Sequence, residues 1–253
     1  MTGSKPLIWA ERFETDHRPM RILVINPNTT ASMTDKIGET ARRAAGNASE
    51  IIAVNPADGP ASIEGYYDEA LSLPGTISVV KDYPDVDGIV IACFDDTGLD
   101  AVRCMGTVPV LGIGEAAFHV ASLLANSFSV ITTLSRSVPA IEHNLVRYGL
   151  ATRCARVRST EIPVLELEDD GPAVRQRISD EIARAIDEDR AEAVVLGCAG
   201  MTDLTESLTS KHGLPVLDGV ACAVGLCQSL IRLGLKTSTL GGYASPTAKS
   251  LAR

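Results

Sequence analysis

The feature that most limits how these 253 residues can fold is that the chain repeats itself. Leu23-Val24-Ile25-Asn26 returns as Ser129-Val130-Ile131-Thr132, 106 residues on. Val108-Pro109-Val110-Leu111-Gly112 returns as Leu214-Pro215-Val216-Leu217-Asp218 at the same offset of 106. Val90-Ile91-Ala92-Cys93 and Val195-Leu196-Gly197-Cys198 form a third pair, 105 residues apart. Each member is a short apolar run, the pattern of a strand covered on both faces of a parallel sheet. Helical patterns lie between the runs. The expected fold class is therefore α/β: two lobes related by a pseudo-twofold axis, each a mostly parallel sheet flanked by helices, with the site in the cleft between them. The expected lobes are 21–115 plus 219–253 and 116–218, after an N-terminal extension over 1–20.

Both runs of the third pair break into small and polar residues at a cysteine. A thiol there sits at the carboxyl end of a strand, the rim where open α/β sheets bind ligands. It also sits near the start of a following helix, whose partial positive charge favours thiolate over thiol. A lone cysteine is ordinarily a small core hydrophobe. Two in matched positions, on lobes that face each other, place a thiol on either side of one cleft. That suits a reaction needing the same chemical group on both faces of one carbon, and Cys93 and Cys198 are the candidate catalytic pair. Cys104, Cys222 and Cys227 read as packing residues, and Cys154 stands outside the chemistry.

Composition excludes more than it selects. A net charge of −9 and a pI near 5.0 argue against a nucleic-acid or anionic-membrane partner. No apolar run approaches the ~20 residues of a membrane span, and Pro6-Leu7-Ile8-Trp9-Ala10 is too short for a signal peptide. The cysteines show no CxxC spacing and no histidine at zinc-site spacing, so no metal is expected. The expectation is a cytoplasmic protein with reduced thiols. Residues 1–20 read as a disordered leader or as an arm on a neighbouring subunit.

Along the chain, Arg21–Ile25 opens the first strand and Pro27, lacking an N–H, closes it. Asn26 at that strand end either binds a polar ligand or serves the turn. Thr29 or Thr30 caps a helix to about Ala45. After a strand over Glu50–Val54, Ser62 reads either as the N-cap of a helix through about Ser72 or, with Ile63, as a loop overhanging the cleft; a further helix precedes the Asp87–Ala92 strand. Asp95-Asp96 lack a third nearby metal ligand and read as turn or helix-start charges. Thr132-Thr133 place hydroxyls and backbone N–H groups ahead of a helix over Val138–Tyr148, a seat for a carbonyl or anion. Charges of the Ala173–Glu188 helix read as a solvated face. A helix of about Thr202–Ser210 follows Cys198. The tail from Gly234 either wraps back or meets a partner chain.

Three strings carry a resemblance: Ile25-Asn26-Pro27-Asn28-Thr29, Ala92-Cys93-Phe94-Asp95-Asp96-Thr97-Gly98-Leu99-Asp100 and Leu196-Gly197-Cys198-Ala199-Gly200-Met201. They resemble the Asp/Glu/hydantoin racemase superfamily, and within it the hydantoin racemase and allantoin racemase branch. The likeness runs from about Arg21 to Gly241-Gly242-Tyr243. Aspartate and glutamate racemases carry CNT-like and GCTH-like motifs where this chain has Cys93-Phe94-Asp95 and Gly197-Cys198-Ala199-Gly200. The resemblance implies a cofactor-independent racemase, usually a homo-oligomer, whose small-molecule substrate carries a hydantoin-like ring. It implies Cys93 and Cys198 as acid and base. Arylmalonate decarboxylase relatives keep only the second cysteine, so the presence of both favours racemisation.

The chemistry is consistent with that. A hydantoin has its stereocentre at C5, beside the C4 carbonyl, and loss of the C5 proton gives an enolate with its charge largely on oxygen. One face needs a base and the other an acid, which a thiolate and a thiol supply. Backbone N–H groups of Phe94, Asp95, Ala199 and Gly200, with the Thr132-Thr133 turn, are expected to hold the ring oxygens. Asn26 and the Ser62-Ile63 loop close the remaining side. Pyridoxal phosphate would need a Schiff-base lysine, and none of the six lysines lies at such a strand end. Three alternatives stay open: a superfamily member acting on an amino or dicarboxylic acid as racemase or cis-trans isomerase, a non-catalytic binding protein, and a thiol-redox or metal protein.

Overall fold

The computed structural model describes residues 18–168 and 171–247. Residues 1–17, most of the N-terminal extension, lie outside them. The first half runs β1 (Met20–Ile25), α1 (Ala31–Ala45), β2 (Ser49–Val54), α2 (Tyr66–Asp82), β3 (Gly88–Ile91), α3 (Leu99–Arg103), β4 (Val110–Gly112) and α4 (Ile113–Leu124). The second runs β5 (Phe128–Thr132), α5 (Val138–Arg147), β6 (Cys154–Ser159), α6 (Pro172–Asp189), β7 (Ala193–Gly197), α7 (Thr205–His212), β8 (Val216–Asp218) and α8 (Gly219–Arg232).

The strands form two four-stranded parallel sheets, ordered β2-β1-β3-β4 and β6-β5-β7-β8. The second order is the first with every strand advanced by four, so the sequence repeat is a repeat of topology. The α/β class expected from the apolar runs is the one observed. Ile22 to Ile25 are wholly buried, as are Val130, Ile131 and Ala193 to Val195, because helices cover both faces of a parallel sheet. One apolar cluster joins the two sheets through α1, α4 and α8, running from Ile22 and Ile37 by Phe118 to Phe128, Val195 and Val224. The outer face of the first sheet is covered by Val79 of α2 and Leu99 of α3, that of the second by Ile178 and Ile182 of α6.

Several local expectations are corrected. Ser62 caps no helix. The chain stays irregular to Gly65 (φ 144°), and one helix, α2, then runs through Pro74 to Asp82. Its start is fixed by Asp68 of the first turn, whose carboxylate accepts the Glu64 N–H at 3.0 Å. Thr30 precedes α1, but its hydroxyl donates to the Ala61 carbonyl at 2.7 Å instead of capping. After Cys198 a 3-10 segment, Ala199–Leu204, comes before α7. The tail wraps back: Thr237 donates its N–H to Thr107 O at 2.9 Å and its hydroxyl to Val108 O at 2.7 Å. Cys104 does not pack in the core but is partly exposed against this tail, 3.4 Å from Gly242 O.

The α6 charges are not simply solvated. Arg158 of β6, whose side chain is 4% exposed, binds both oxygens of Asp189 (2.6 and 2.7 Å) and reaches Glu188 at 2.7 Å. Burial pushes the Asp189 carboxyl upward, but Arg158 and Ser129 outweigh it and hold the group below the usual carboxylate range. Removing one member of such a pair strands the other without compensation. Arg158→Ala is expected to cost about 3–5 kcal/mol, read as a lower urea midpoint at pH 7. The difference from the parent should shrink as pH falls through the depressed Asp189 pKa, since protonated Asp189 no longer needs its partner.

Candidate active site

Four strand ends converge on one cavity. In the first sheet the ladder continues one step past the strands: Asn26 N–H meets Val54 O at 2.9 Å and Ala92 N–H meets Ile25 O at 2.7 Å. In the second, Thr132 sits opposite Gly197. Asn26, Ala92, Cys93, Thr132, Gly197 and Cys198 all line the same cavity, whose empty space is about 430 Å³ with its open mouth included. Chain order reverses beside β1 and β5 in their sheets, and that switch point is where such sheets leave a crevice.

The two cysteine turns have one build. The Cys93 carbonyl accepts the Asp96 N–H at 3.0 Å, and the Cys198 carbonyl accepts the Met201 N–H at 3.1 Å. Cys198 Sγ accepts the Gly200 N–H at 3.4 Å, and the Asp95 N–H, at the matching step, acts to lower the Cys93 thiol. Each sulfur therefore faces the N–H two residues on, a donor that favours the thiolate. Both thiols are half-buried, and none of the six cysteines is in a disulfide.

Their side-chain surroundings differ. Burial, and then the Asp95 carboxylate, push the Cys93 thiol well above its ordinary range; Thr97 Oγ1 at 3.5 Å and the Asp95 N–H pull the other way, and Glu69 adds to the rise. The expectation that a helix start lowers this thiol fails. A turn with Asp96 and Gly98 at positive φ intervenes, and α3 spans only Leu99–Arg103. At Cys198 the 3-10 turn does begin at the next residue, and its second residue is Gly200, where the first turn has Asp95. Burial, then Glu69 and Asp96, carry Asp95 up to about 7. Glu69 contributes an oxygen, Oε1, that is buried without a hydrogen-bond partner among the described residues.

Of the other candidates, Ile63, Phe94, Asp95, Thr133 and Ala199 line the cavity, whereas Ser62 and Gly200 do not. Two of those that line it have engaged polar groups. The Asn26 amide donates to Asn28 Oδ1 (2.8 Å) and Thr34 Oγ1 (3.0 Å) and accepts the Asn28 N–H, so it serves the turn. Thr132 Oγ1 donates to Gly197 O at 3.1 Å. The Phe94 ring is packed edge-on to Phe118 at 5.4 Å, leaving its backbone to face the cavity. Sequence reasoning missed Asn28, Met33, Ser137 and Val164 on the wall. Asn28 sits in the same polar turn as Asn26 and was within reach. Val164 was not: its place depends on its N–H donating to Glu64 Oε1 at 2.9 Å across 100 residues of chain.

A family model, Asp/Glu/Hydantoin racemase, matches residues 22–227. The chain belongs to that family. It is 45% identical over 232 residues to a hydantoin racemase of Pseudomonas sp. (strain NS671), covering 91% of this chain and 93% of that one. It is 46% identical over 235 residues to a hydantoin racemase of Rhizobium meliloti, covering 92% and 98%. The solved allantoin racemase from Klebsiella pneumoniae superposes with a TM-score of 0.90 at 43% identity, covering 92% of this chain and 96% of that one. Among the described residues of this family member, no helix is long and apolar enough to cross a membrane.

The field at Cys93 generates a prediction. As pH rises through about 7, Asp95 ionises and opposes loss of the Cys93 proton. Asp95→Asn removes that opposition, so the thiolate forms at lower pH. Each unit of lowering gives about tenfold more thiolate below the pKa. Iodoacetamide labelling of Cys93 at pH 8, followed by peptide mass spectrometry, is expected to be severalfold faster in Asp95→Asn than in the parent. An equal or slower rate would contradict this field.

Proposed function

We propose that the protein is a cofactor-independent racemase of a neutral cyclic ureide, a 5-substituted hydantoin or allantoin, working through Cys93 and Cys198 at C5. The observation that carries this is that two cysteine turns of one build open into one cavity with no lysine, arginine or histidine among its described lining residues. An amino or dicarboxylic acid would bring a carboxylate into a space that already holds Asp95 and offers no cation, and an unpaired buried charge is costly. A neutral ring with two N–H groups and two carbonyls faces no such cost. The names of the similar proteins support the same substrate class. In this reading residues 21–115 plus 219–253 form one lobe and 116–218 the other, each supplying one thiol.

The reaction balances on the thiols alone. The thiolate on one face takes the C5 proton, and the C–H electron pair becomes the enolate with its charge on the C4 oxygen. The thiol on the opposite face delivers a proton to C5 and becomes the thiolate. The ring leaves inverted, and the two sulfurs have exchanged protonation states, which solvent resets. The two thiols are coupled through the substrate, so they titrate as a pair. N–H groups of the two turns, at Phe94 and Asp95 and at Ala199, hold the ring oxygens and stabilise the enolate; loss of one such donor typically costs ~10²–10³-fold. The Asp95 carboxylate on the wall accepts from a ring N–H, and Ile63 and Val164 bound the side where the 5-substituent lies.

Circular dichroism of enantiopure 5-substituted hydantoins and allantoin, with reductant and chelator present, is the direct test. Racemisation of amino acids but not of these rings would overturn the proposal. Cys93→Ser and Cys198→Ser are each expected to lower racemisation by at least about 10³-fold, the scale of losing an essential proton-transfer group. In each variant, exchange of the C5 hydrogen for solvent deuterium should persist for one enantiomer only, the opposite one in the two variants. Cys222→Ser and Cys227→Ser are expected to keep the activity.

A further inference from the structure

The turn that carries Cys93 is anchored from outside itself, and the duplicated fold exposes how. In the second half, the first N–H groups of α8 are capped locally: Asp218 Oδ1 accepts from Val220 N at 2.9 Å and Oδ2 from Ala221 N at 3.0 Å. The matched residue before α4 is Gly112, which has no side chain to offer. The matched N–H groups, of Gly114 and Glu115, donate instead to Asp96 Oδ1 at 3.0 Å and Oδ2 at 2.8 Å. Asp96 stands in the space a residue at 112 would fill: a Cβ on Gly112 would lie 2.0 Å from Asp96 Oδ1, and one on Gly114 2.9 Å from Oδ2. The cap of α4 has been transferred to the third residue after Cys93.

That carboxylate has one more donor. Tyr148, at the end of α5, donates its hydroxyl to Asp96 Oδ2 at 2.8 Å. One turn earlier on the same face of α5, Asn144 donates to the Asp95 carbonyl at 2.8 Å, and Arg147 pairs with Asp100. Asp96 itself is 5% exposed and held at φ 53°, a conformation a non-glycine residue keeps only when its surroundings impose it. The matched residue of the other turn, Met201, is apolar and fully buried. Among the described residues, the Cys93 turn is thus pinned at once to a helix start of its own sheet and to a helix of the other.

We infer that Asp96 and Tyr148 are positioning residues that fix the Cys93 sulfur at its distance from the opposite turn, while Cys198 is placed without them. This rests on the two-thiol reading of the site. Neither residue lines the cavity, so both act through Cys93. If the bracket is loosened, a substrate whose C5 hydrogen faces Cys198 can still lose that proton and regain one from the same side. It then exchanges hydrogen without inverting. Delivery of a proton from the Cys93 side is what fails.

Tyr148→Phe removes one donor and leaves the α4 cap in place; Asp96→Asn keeps the volume and loses the charge. In deuterated buffer, with each enantiomer of a racemised hydantoin, both variants are expected to raise the ratio of exchange with retention to inversion by about tenfold for the enantiomer facing Cys198. KM should stay within about twofold as kcat falls, in line with the roughly 10²-fold that an ångström of misplacement can cost. A merely structural role would lower exchange and inversion together, leaving that ratio unchanged, and this result overturns the inference. So would full racemisation by both variants. A second readout does not depend on the reaction: labelling by iodoacetamide at fixed pH should change severalfold at Cys93 and stay unchanged at Cys198. Were the parent to racemise no hydantoin, the proposed function would fall, and equal labelling of both cysteines in parent and variants would then dispose of the bracket separately.

Discussion

A parallel sheet whose chain crosses first to one side of a strand and then back past it to the other reverses its order at that strand, and the site depends on that constraint. β1 and β5 are the strands at which the order reverses. The helices that carry the crossovers cover opposite faces: α1 lies in the shared core with Ile22 and Val24, α2 in the outer cluster with Leu23 and Ile25. α5 and α6 divide in the same manner about β5. Where the two crossovers leave a strand in opposite directions, no helix covers its carboxyl end. Each sheet has one such gap, and α1, α4 and α8 hold the sheets so that the two gaps form one cavity.

Within that cavity the duplication is close in the backbone and abandoned in the side chains. The carbonyl at each cysteine accepts the N–H three residues on, and each sulfur faces the N–H two residues on. The closing hydrogen bonds are made by the backbone, so they survive divergence of the side chains around them. One copy has Phe94, Asp95 and Asp96, the other Ala199, Gly200 and Met201 at the same steps. The two acids set the charge of the cavity wall and, through Asp96, its attachment to α4.

Much of this is legible in the sequence, and the boundary is physical. Strands buried on both faces must be continuous apolar runs, so Ile22–Ile25 and Ala193–Leu196 announce themselves. The recurring offset of about 106 residues carries the topology with it, and Pro27 and Gly197 mark where ladders end. What escapes is any bond whose partners are remote in sequence. Ser62 looks like a cap because its neighbours in sequence permit one; Asp68 supplies the reach-back instead. Asn26 and Thr132 look available to a ligand, and their side chains are engaged by Thr34 and Gly197. Asp96 reads as a charge at the start of α3, whereas its carboxylate meets α4 and Tyr148, 18 and 52 residues further on.

The acidity around Cys93 bears on how two unequal thiols can serve one carbon. Proton transfer in both directions is efficient only when donor and acceptor have similar proton affinities at the moment of reaction. Burial and Asp95 hold Cys93 in its protonated form. A cyclic ureide brings N–H groups to the wall where Asp95 lies, and a hydrogen bond from the ring draws that carboxylate's charge away from the sulfur. On the two-thiol reading the substrate itself completes the balance of the pair, so the inequality of the resting turns is no obstacle to a reversible reaction. A ligand carrying its own carboxylate would add to the field at Cys93 instead of relieving it. On that same reading, the acids that oppose such a ligand electrostatically also leave it without the matched thiols it would need.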